Sequence, residues 1–128
     1  MNALLDTHTF LWWVAGAPQL SKTAKDFITN PDNKIFFSAA SAWEIVIKIG
    51  TSKLTLPEES DFYITSRLIS NRFQILPIEL SHTLQIAKLP DLHRDPFDRI
   101  IIAQSQVTGM PILTIDRLIV QYPIDIIC

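Results

Sequence analysis

The sequence has 128 residues, of which 48% are hydrophobic and 19% charged, a size and composition typical of one globular domain and too apolar for a disordered chain. Its net charge of −2 and pI near 5.8 exclude a strongly basic nucleic-acid-binding protein, so any contact with phosphates requires metal ions or a local basic patch. Cys128 is the only cysteine, which excludes an internal disulfide and favours a reducing compartment.

The start of the chain carries no signal for export or membrane anchoring. Residues 1–10 lack the basic segment of a signal peptide, and the apolar run "FLWWVAGA" is far shorter than the roughly 20 residues that cross a bilayer. No linker, repeat or low-complexity segment divides the chain. We therefore expect a cytoplasmic protein, without a membrane partner, whose residues 1–128 form a single domain.

The first half of the chain predicts two strands and three helices. The apolar run 2–5 is a predicted buried strand, and helix 7–16 is closed by Gly16. Ser21 is the predicted cap of helix 22–30, which ends at the "NPDN" turn. "KIFFS" then predicts a strand at 34–38, followed by a helix at 39–50 closed by Gly50.

The second half continues the alternation of helices and strands. It predicts helices at 57–72, at 82–89 with Ser81 as cap, and at 96–108 closed by Gly109. It predicts strands at 73–78 and 111–115 and a last edge strand at 122–127. Continuous apolar strands between helices predict a three-layer α/β/α sandwich with a mainly parallel sheet of four to five strands. The functional site of such a fold lies beyond the carboxyl ends of its strands.

Asp6 and Asp116 occupy equivalent places, each after a predicted strand and before a helix. Either one is explained by helix capping alone, because aspartate is a favoured N-cap. However, neighbouring strands lie about 4.8 Å apart, so two such carboxylates at one edge of a sheet are close enough to share a metal ion.

Glu44 stands in the apolar helical segment "AASAWEIVIKIG". With Lys48 it makes an i, i+4 pair in the favourable order, and a surface ion pair is the simpler explanation. Its helical neighbours are apolar, however, and its helix starts just after the second strand. These two facts favour a functional carboxylate at the same edge of the sheet.

The stretch "HRDPFDRIII" contains two further aspartates. Asp95 followed by Pro96 is a cap followed by proline at the first helical position. Asp98 falls at the third helical position, where a side chain can reach back to complete a capping box. Helix capping therefore accounts for both residues. It does not explain why, after Asp6 and Asp116, a third aspartate again appears at the start of a helix.

Four carboxylates, those of Asp6, Glu44, Asp98 and Asp116, are thus predicted to meet. Their mutual repulsion would keep one or more protonated at neutral pH unless a cation balances them. An all-oxygen site suits Mg²⁺ or Mn²⁺, which can activate water and stabilise charge on a phosphoryl oxygen.

Other kinds of site find less support. His8, His82 and His93 lack metal-ligand spacing, no glycine-rich phosphate loop is present, and "DTH" lacks the second aspartate of a phosphoaspartate phosphatase. We interpret the tryptophans as core residues rather than base-stacking platforms; they are Trp12, Trp13 and Trp43.

The segments "LLDTHTFLWW", "SAASAWEIVIKIGTSKLTLP", "LPDLHRDPFDRIIIAQSQ" and "ILTIDRLIVQY" together resemble the PIN-domain ribonucleases. The resemblance covers essentially the whole chain, in order, and is closest to the VapC-like toxins of bacterial and archaeal toxin–antitoxin pairs. It implies a homodimer and a small antitoxin that covers or disrupts the site.

The same resemblance assigns roles to individual residues. It implies that Asp6 and Asp98 are the main metal-coordinating pair and that Glu44 and Asp116 complete the site, directly or through water. It matches Thr7 and Thr114 to hydroxyl positions beside the acids, where they can donate hydrogen bonds to the ligands. It leaves Asp95, the other acid of the "DPFDR" block, as a helix cap and neighbour of the site.

Three hypotheses remain open. The first is a Mg²⁺- or Mn²⁺-dependent endoribonuclease. Three arginines next to the acids in sequence are candidates for contacts with RNA phosphates, and a solvated surface position explains each of them equally well; they are Arg94, Arg99 and Arg117. The second is a binding module that docks an antitoxin to form a DNA-binding repressor complex. The third is a structure-specific DNA nuclease, which the small size disfavours because there is no room for a threading insertion.

Overall fold

Five short strands form one fully parallel sheet in the computed structural model, which describes residues 1–128. In chain order they are Asn2–Leu5 (β1), Lys34–Ser38 (β2), Gln74–Leu76 (β3), Ile112–Leu113 (β4) and Ile126–Ile127 (β5). The order across the sheet is β3-β2-β1-β4-β5. The sheet therefore grows outward from β1 in both directions, and the gap between such diverging halves is where α/β folds bind their ligands.

Seven helices connect and cover these strands. They are Thr7–Ala15 (α1), Lys22–Thr29 (α2), Ala39–Gly50 (α3), Ser60–Ser70 (α4), Leu80–Gln85 (α5), Pro96–Thr108 (α6) and Arg117–Val120 (α7). A single 3-10 turn, Ile86–Lys88, follows α5. None of the helices has the length and apolar character that crossing a membrane requires.

The apolar residues of β1 divide between two cores. Ala3 and Leu5 join the larger cluster, with Phe10 of α1 and Phe37 of β2, whereas Leu4 joins a second cluster on the other face. The second cluster is built mainly from α6, α7 and β4. Alternate side chains of a strand point to opposite faces, so a strand buried on both faces must be apolar throughout. The predicted α/β sandwich with a parallel sheet is confirmed.

Several predicted boundaries were wrong by a few residues. The helix predicted at 57–72 begins at Ser60 and ends at Ser70, and the last three strands are shorter than predicted. Ser81 does not cap its helix, because α5 already begins at Leu80. Glu79 takes the cap position instead, and its backbone N–H donates to Nδ1 of His82 at 3.0 Å.

The predicted helix ends are confirmed at two glycines and wrong at the third. Gly16 and Gly109 adopt positive φ angles of 63° and 76°, the left-handed conformation that favours glycine. Gly50 is instead the last residue of α3 and has no positive φ; the positive φ nearby belongs to Ser52. The end of α3 therefore does not depend on glycine.

The interpretation of the tryptophans as core residues was correct only in part. Trp12 and Trp13 are half-buried against the larger core cluster. Trp43 is 53% exposed, and its ring packs edge-on against that of Phe97 in α6, with 4.9 Å between centroids. Its neighbours Val46 and Ile47 are also exposed, so one stripe of α3 remains uncovered.

Candidate functional site

Asp6 lies at the carboxyl end of β1, at the centre of the sheet, and is 3% exposed. One of its oxygens accepts the backbone N–H of Thr9 at 2.7 Å and caps α1, as the capping explanation required. The other accepts a short hydrogen bond from the hydroxyl of Thr114, which follows β4. The carboxylate is therefore held both by helix α1 and by the loop after β4, so capping is only one of its contacts.

Glu44 lies in α3 and is almost completely buried, with 2% exposure. Its Oε1 accepts the hydroxyl of Thr7 at 2.7 Å, and Thr7 in turn lies 2.9 Å from the hydroxyl of Ser41. Its Oε2 makes an ion pair of 2.7 Å with Nζ of Lys48, whose side chain is only 33% exposed. The i, i+4 pair that the sequence predicted therefore exists, but it points into the site and is not a surface pair.

Asp98 lies in the first turn of α6, close behind the cap residue Asp95. Asp95 accepts the backbone N–H groups of Phe97 and Asp98 at 2.9 and 3.0 Å, as predicted for a cap. Asp98 does not complete the predicted capping box. Its Oδ2 instead lies 3.2 Å from Nε2 of His93.

Asp116 follows β4 and caps the short helix α7, where it accepts the backbone N–H of Leu118 at 2.9 Å. Its own backbone N–H donates to the Thr114 hydroxyl at 3.0 Å. Thr114 therefore links the loop that carries Asp116 to the carboxylate of Asp6. The hydroxyl positions singled out from the sequence, Thr7 and Thr114, both contact acids of the site.

The other acids of the site lie within electrostatic range of Asp98. Burial first, and then the negative charges of Asp95, Asp116, Glu44 and Asp6, together raise the pKa of Asp98 to about 8. Burial also raises the pKa of Asp6, although its hydrogen bonds from Thr114 and Thr9 oppose that shift.

Lys48 is the one basic side chain that responds to this cluster. Burial lowers its pKa, but the hydrogen bond and charge of Glu44, together with Asp95 and Asp98, outweigh burial and raise it overall. The ammonium therefore partly balances the negative charge of the site.

The acids have the ligand chemistry that a divalent cation requires, but their side chains are not yet arranged around a common point. Buried carboxylates whose proximity raises a pKa by this much are the ligands that a hard cation such as Mg²⁺ binds and holds ionised. However, no group of three or more His, Cys, Asp or Glu side chains is arranged to hold an ion as the structure stands. Oxygens of Glu44 and Asp6 already accept from Lys48, Thr7 and Thr114, but each carboxylate oxygen has a second lone pair that can bind a cation.

The three candidate arginines differ in their surroundings. Arg94 and Arg117 are exposed beside Asp95 and Asp116 and are free to reach a substrate. Arg99 is engaged: its Nη1 lies 3.0 Å from the carbonyl of Pro90, 3.2 Å from that of His93 and 2.9 Å from the hydroxyl of Tyr122. Arg99 therefore stabilises the loop before α6, and its Nη1 is not available to bind a phosphate.

Sequence reasoning missed two residues that contact the acids. His93 was set aside because it lacks metal-ligand spacing, and Lys48 was considered only as a surface partner. Lys48 was detectable from its i, i+4 spacing to a buried glutamate. His93 contacts Asp98 across only five residues, but the orientation of its ring depends on Tyr122, which lies 29 residues further along the chain and is not evident from the sequence.

This arrangement defines the class of protein: an α/β domain with a central parallel sheet and four acids at the carboxyl edge of its strands. A family model described as the PIN domain matches residues 3–124, and the chain therefore belongs to the PIN-domain family. A search of curated proteins finds no match.

Solved structures share the fold at low sequence identity. A chain in the structure of VapBC2 from Rickettsia felis bound to a promoter DNA fragment is 17% identical, with a TM-score of 0.72 and coverage of 98% of this chain and 97% of that one. A chain of FitAcB from Neisseria gonorrhoeae is 18% identical, with a TM-score of 0.69 and coverage of 100% of this chain and 97% of that one. A chain of a toxin–antitoxin complex from Klebsiella pneumoniae is 20% identical, with a TM-score of 0.63 and coverage of 98% of this chain and 96% of that one.

Proposed function

We propose that this chain is a Mg²⁺- or Mn²⁺-dependent endoribonuclease and the toxin of a toxin–antitoxin pair. The observation that carries the proposal is the gathering of Asp6, Glu44 and Asp116 around the part-buried Asp98, whose pKa is raised by burial and then by these charges. Such a cluster is costly for the free protein and becomes favourable once a cation binds. Membership of the PIN-domain family supports a nuclease among the activities that use such a site.

The proposed roles of the acids follow from their positions. Asp6 and Asp98 are the main ligands, and Glu44 and Asp116 complete the site directly or through water. When bound, a divalent cation supplies an activated water and stabilises the charge that develops on the phosphate. Thr7 and Thr114 hold the carboxylates of Glu44 and Asp6 in place, since each hydroxyl donates to one of them.

Two arginines are proposed to hold the RNA. Arg94 and Arg117 are exposed and adjacent in sequence to Asp95 and Asp116, so they can contact phosphates on either side of the bond that is cleaved. The net charge of −2 does not oppose RNA binding, because bound cations reverse the local charge of the acidic edge. Arg99 is left out because its guanidinium is engaged within the chain.

The test is cleavage of single-stranded RNA in Mg²⁺ or Mn²⁺ by the wild type, by Asp98→Asn and by Asp32→Asn. Asp32 is an exposed acid far from the site in sequence and serves as the matched control. We expect Asp98→Asn to lose activity by about 100-fold or more, because a metal ligand is lost, and Asp32→Asn to keep it. Full activity of Asp98→Asn, or full activity in excess chelator, would contradict the mechanism.

The same assay separates the RNA from the DNA hypothesis. DNA of the same sequence is offered as a single strand and as a flap. Preferential cleavage of either DNA would replace the ribonuclease with the DNA nuclease. The absence of cleavage together with binding of a small partner would favour the antitoxin-docking module.

We further propose a homodimer and a small cognate antitoxin as partners. The similar solved structures include a toxin–antitoxin complex and VapBC2 bound to DNA. The uncovered apolar stripe of α3, formed by Trp43, Val46 and Ile47, supports a protein–protein contact. Light scattering of the chain alone tests for the dimer, and co-purification with the product of the adjacent reading frame tests for the antitoxin.

A further inference from the structure

Three side chains that the roles above do not use, those of Arg99, Tyr122 and His93, form a continuous hydrogen-bonded relay that ends at Asp98. Nη1 of Arg99 donates to the hydroxyl of Tyr122 at 2.9 Å, that hydroxyl lies 2.7 Å from Nδ1 of His93, and Nε2 of His93 lies 3.2 Å from Oδ2 of Asp98. The His93 side chain is 7% exposed and Tyr122 is 3% exposed, so the relay is shielded from water.

The chemistry of the four groups sets the direction in which protons point along the relay. A guanidinium can only donate, so the Tyr122 oxygen accepts from Arg99 and its own proton is free to point at Nδ1 of His93. A neutral His93 that accepts at Nδ1 carries its hydrogen on Nε2. That hydrogen faces Asp98, whose ionised form, the one that binds a cation, has only acceptors. Every group in the relay therefore has a matching partner.

The relay also connects three separate parts of the chain. Asp98 and Arg99 belong to α6, Tyr122 follows α7, and His93 belongs to the loop before α6. Arg99 fixes this loop further through the carbonyls of Pro90 and His93. The ring of His93 packs edge-on against that of Tyr122, with centroids 5.3 Å apart. The imidazole is thus held in one orientation by packing as well as by hydrogen bonds.

We propose that His93 is a positioning residue that fixes the carboxylate of Asp98 for cation binding, with Tyr122 and Arg99 setting its tautomer and orientation. Its hydrogen bond engages Oδ2, so Oδ1 would be the oxygen left for a cation. Outer partners that orient a ligand in this way typically change metal affinity by 10- to 100-fold when removed. This inference rests on the proposed metal-dependent function and adds to it the residues that prepare one ligand.

Two substitutions of His93 separate positioning from packing. His93→Gln places an amide N–H where Nε2 was and keeps the donor to Asp98. His93→Asn places its amide near the position of Nδ1, where it reaches toward Tyr122 and not Asp98. Tyr122→Phe removes the hydroxyl and keeps the ring. The readouts are the Mn²⁺ dissociation constant from calorimetry, the Tm of the metal-free protein, and kcat and KM for RNA.

We expect His93→Asn and His93→Ala to weaken Mn²⁺ binding by about 10- to 100-fold, and His93→Gln to recover most of that loss. We expect Tyr122→Phe to weaken binding by several-fold, because the tautomer is no longer fixed. The kcat value should fall in the same order, with KM little changed. A structural role alone would instead lower the Tm of the Gln and Asn variants alike without separating their affinities for Mn²⁺.

The possible failures can be told apart. If the wild type binds Mn²⁺ and the Gln, Asn and Ala variants bind it equally well, the relay is refuted and the metal site stands. If they lose affinity only in proportion to a lower Tm, His93 has a structural role and the inference is wrong. If the wild type binds neither Mn²⁺ nor Mg²⁺, the proposed function itself fails, and the inference fails with it.

Discussion

The ion pair between Glu44 and Lys48 is buried on one side, and this sets its contribution to stability. Glu44 is 2% exposed, so removal of Lys48 leaves a charge without its closest balancing partner. We expect Lys48→Met to reduce the free energy of unfolding of the metal-free protein by about 1–3 kcal/mol, less than a fully buried pair because Lys48 is partly solvated.

Urea denaturation in excess chelator measures this effect. The matched control is Lys22→Met, which removes an i, i+4 pair with Asp26 in which both side chains are largely exposed. We expect the control to leave the unfolding midpoint unchanged, because surface pairs contribute little. Equal midpoints for Lys48→Met and the wild type would show that Thr7 alone satisfies Glu44.

The acids were predictable from the sequence one by one, whereas their partners were not. Asp6 and Asp116 follow apolar runs, and Glu44 stands out as a carboxylate in an apolar helix. The contacts of these acids are non-local: Thr114 reaches Asp6 across 108 residues of chain. Nothing in a single sequence without an alignment identifies such a pair, because the fold must be known before the two are seen to meet.

At the level of the helix, the cap and first turn of α6 combine two functions. Asp95 caps the helix through two backbone N–H groups, and its charge raises the pKa of Asp98. We expect Asp95→Ala to lower the free energy of unfolding by about 1 kcal/mol, because the cap is lost. Asp95→Asn retains a capping oxygen and removes the charge, so its stability should equal or exceed that of the wild type.

Chemical denaturation of the two variants at pH 7 in chelator measures the difference. The Asn variant should in addition lower the pKa of Asp98, which NMR titration of its carboxyl carbon detects. If both variants were equally destabilised, charge rather than capping would account for the contribution of Asp95.

Helix ends marked by a cap or a glycine were easier to predict than the last three strands, although the first two strands were predicted with their observed bounds. Caps and glycine ends mark helix boundaries in the sequence, as at Asp95, Gly16 and Gly109. The strands have no such marks, and their hydrogen-bonded length depends on neighbours elsewhere in the chain. The predicted strand at 111–115 therefore keeps only Ile112 and Leu113, since β5 pairs with these two residues alone.

At the level of the whole molecule, the acidic cluster makes stability depend on pH. The pKa of Asp98 is about 8 in the folded protein against 3.8 in the unfolded chain, and that of Asp6 is also raised. Between these values the folded state holds protons that the unfolded state has released. The free energy of unfolding should therefore fall as the pH rises from about 4 to about 8, and level off above that.

Thermal unfolding in chelator from pH 5 to 9 measures this dependence, and Asp98→Asn is the comparison. The stability advantage of the variant over the wild type should grow as the pH rises toward 8. Saturating Mg²⁺ should reduce the advantage, because the cation stabilises the ionised carboxylates of the wild type. A constant difference across the pH range would show that Asp98 is not protonated in the folded protein.

The central position of β1 affects how the protein folds during its synthesis. Asp6 directly follows the strand that is synthesised first, whereas Asp98, Thr114 and Asp116 come from the last third of the chain. The sheet cannot join these groups until β4 has paired with β1, and such distant parallel pairing is slow to form. A chain emerging from the ribosome therefore carries its acids apart, and the proposed nuclease stays inactive until its final strands have folded.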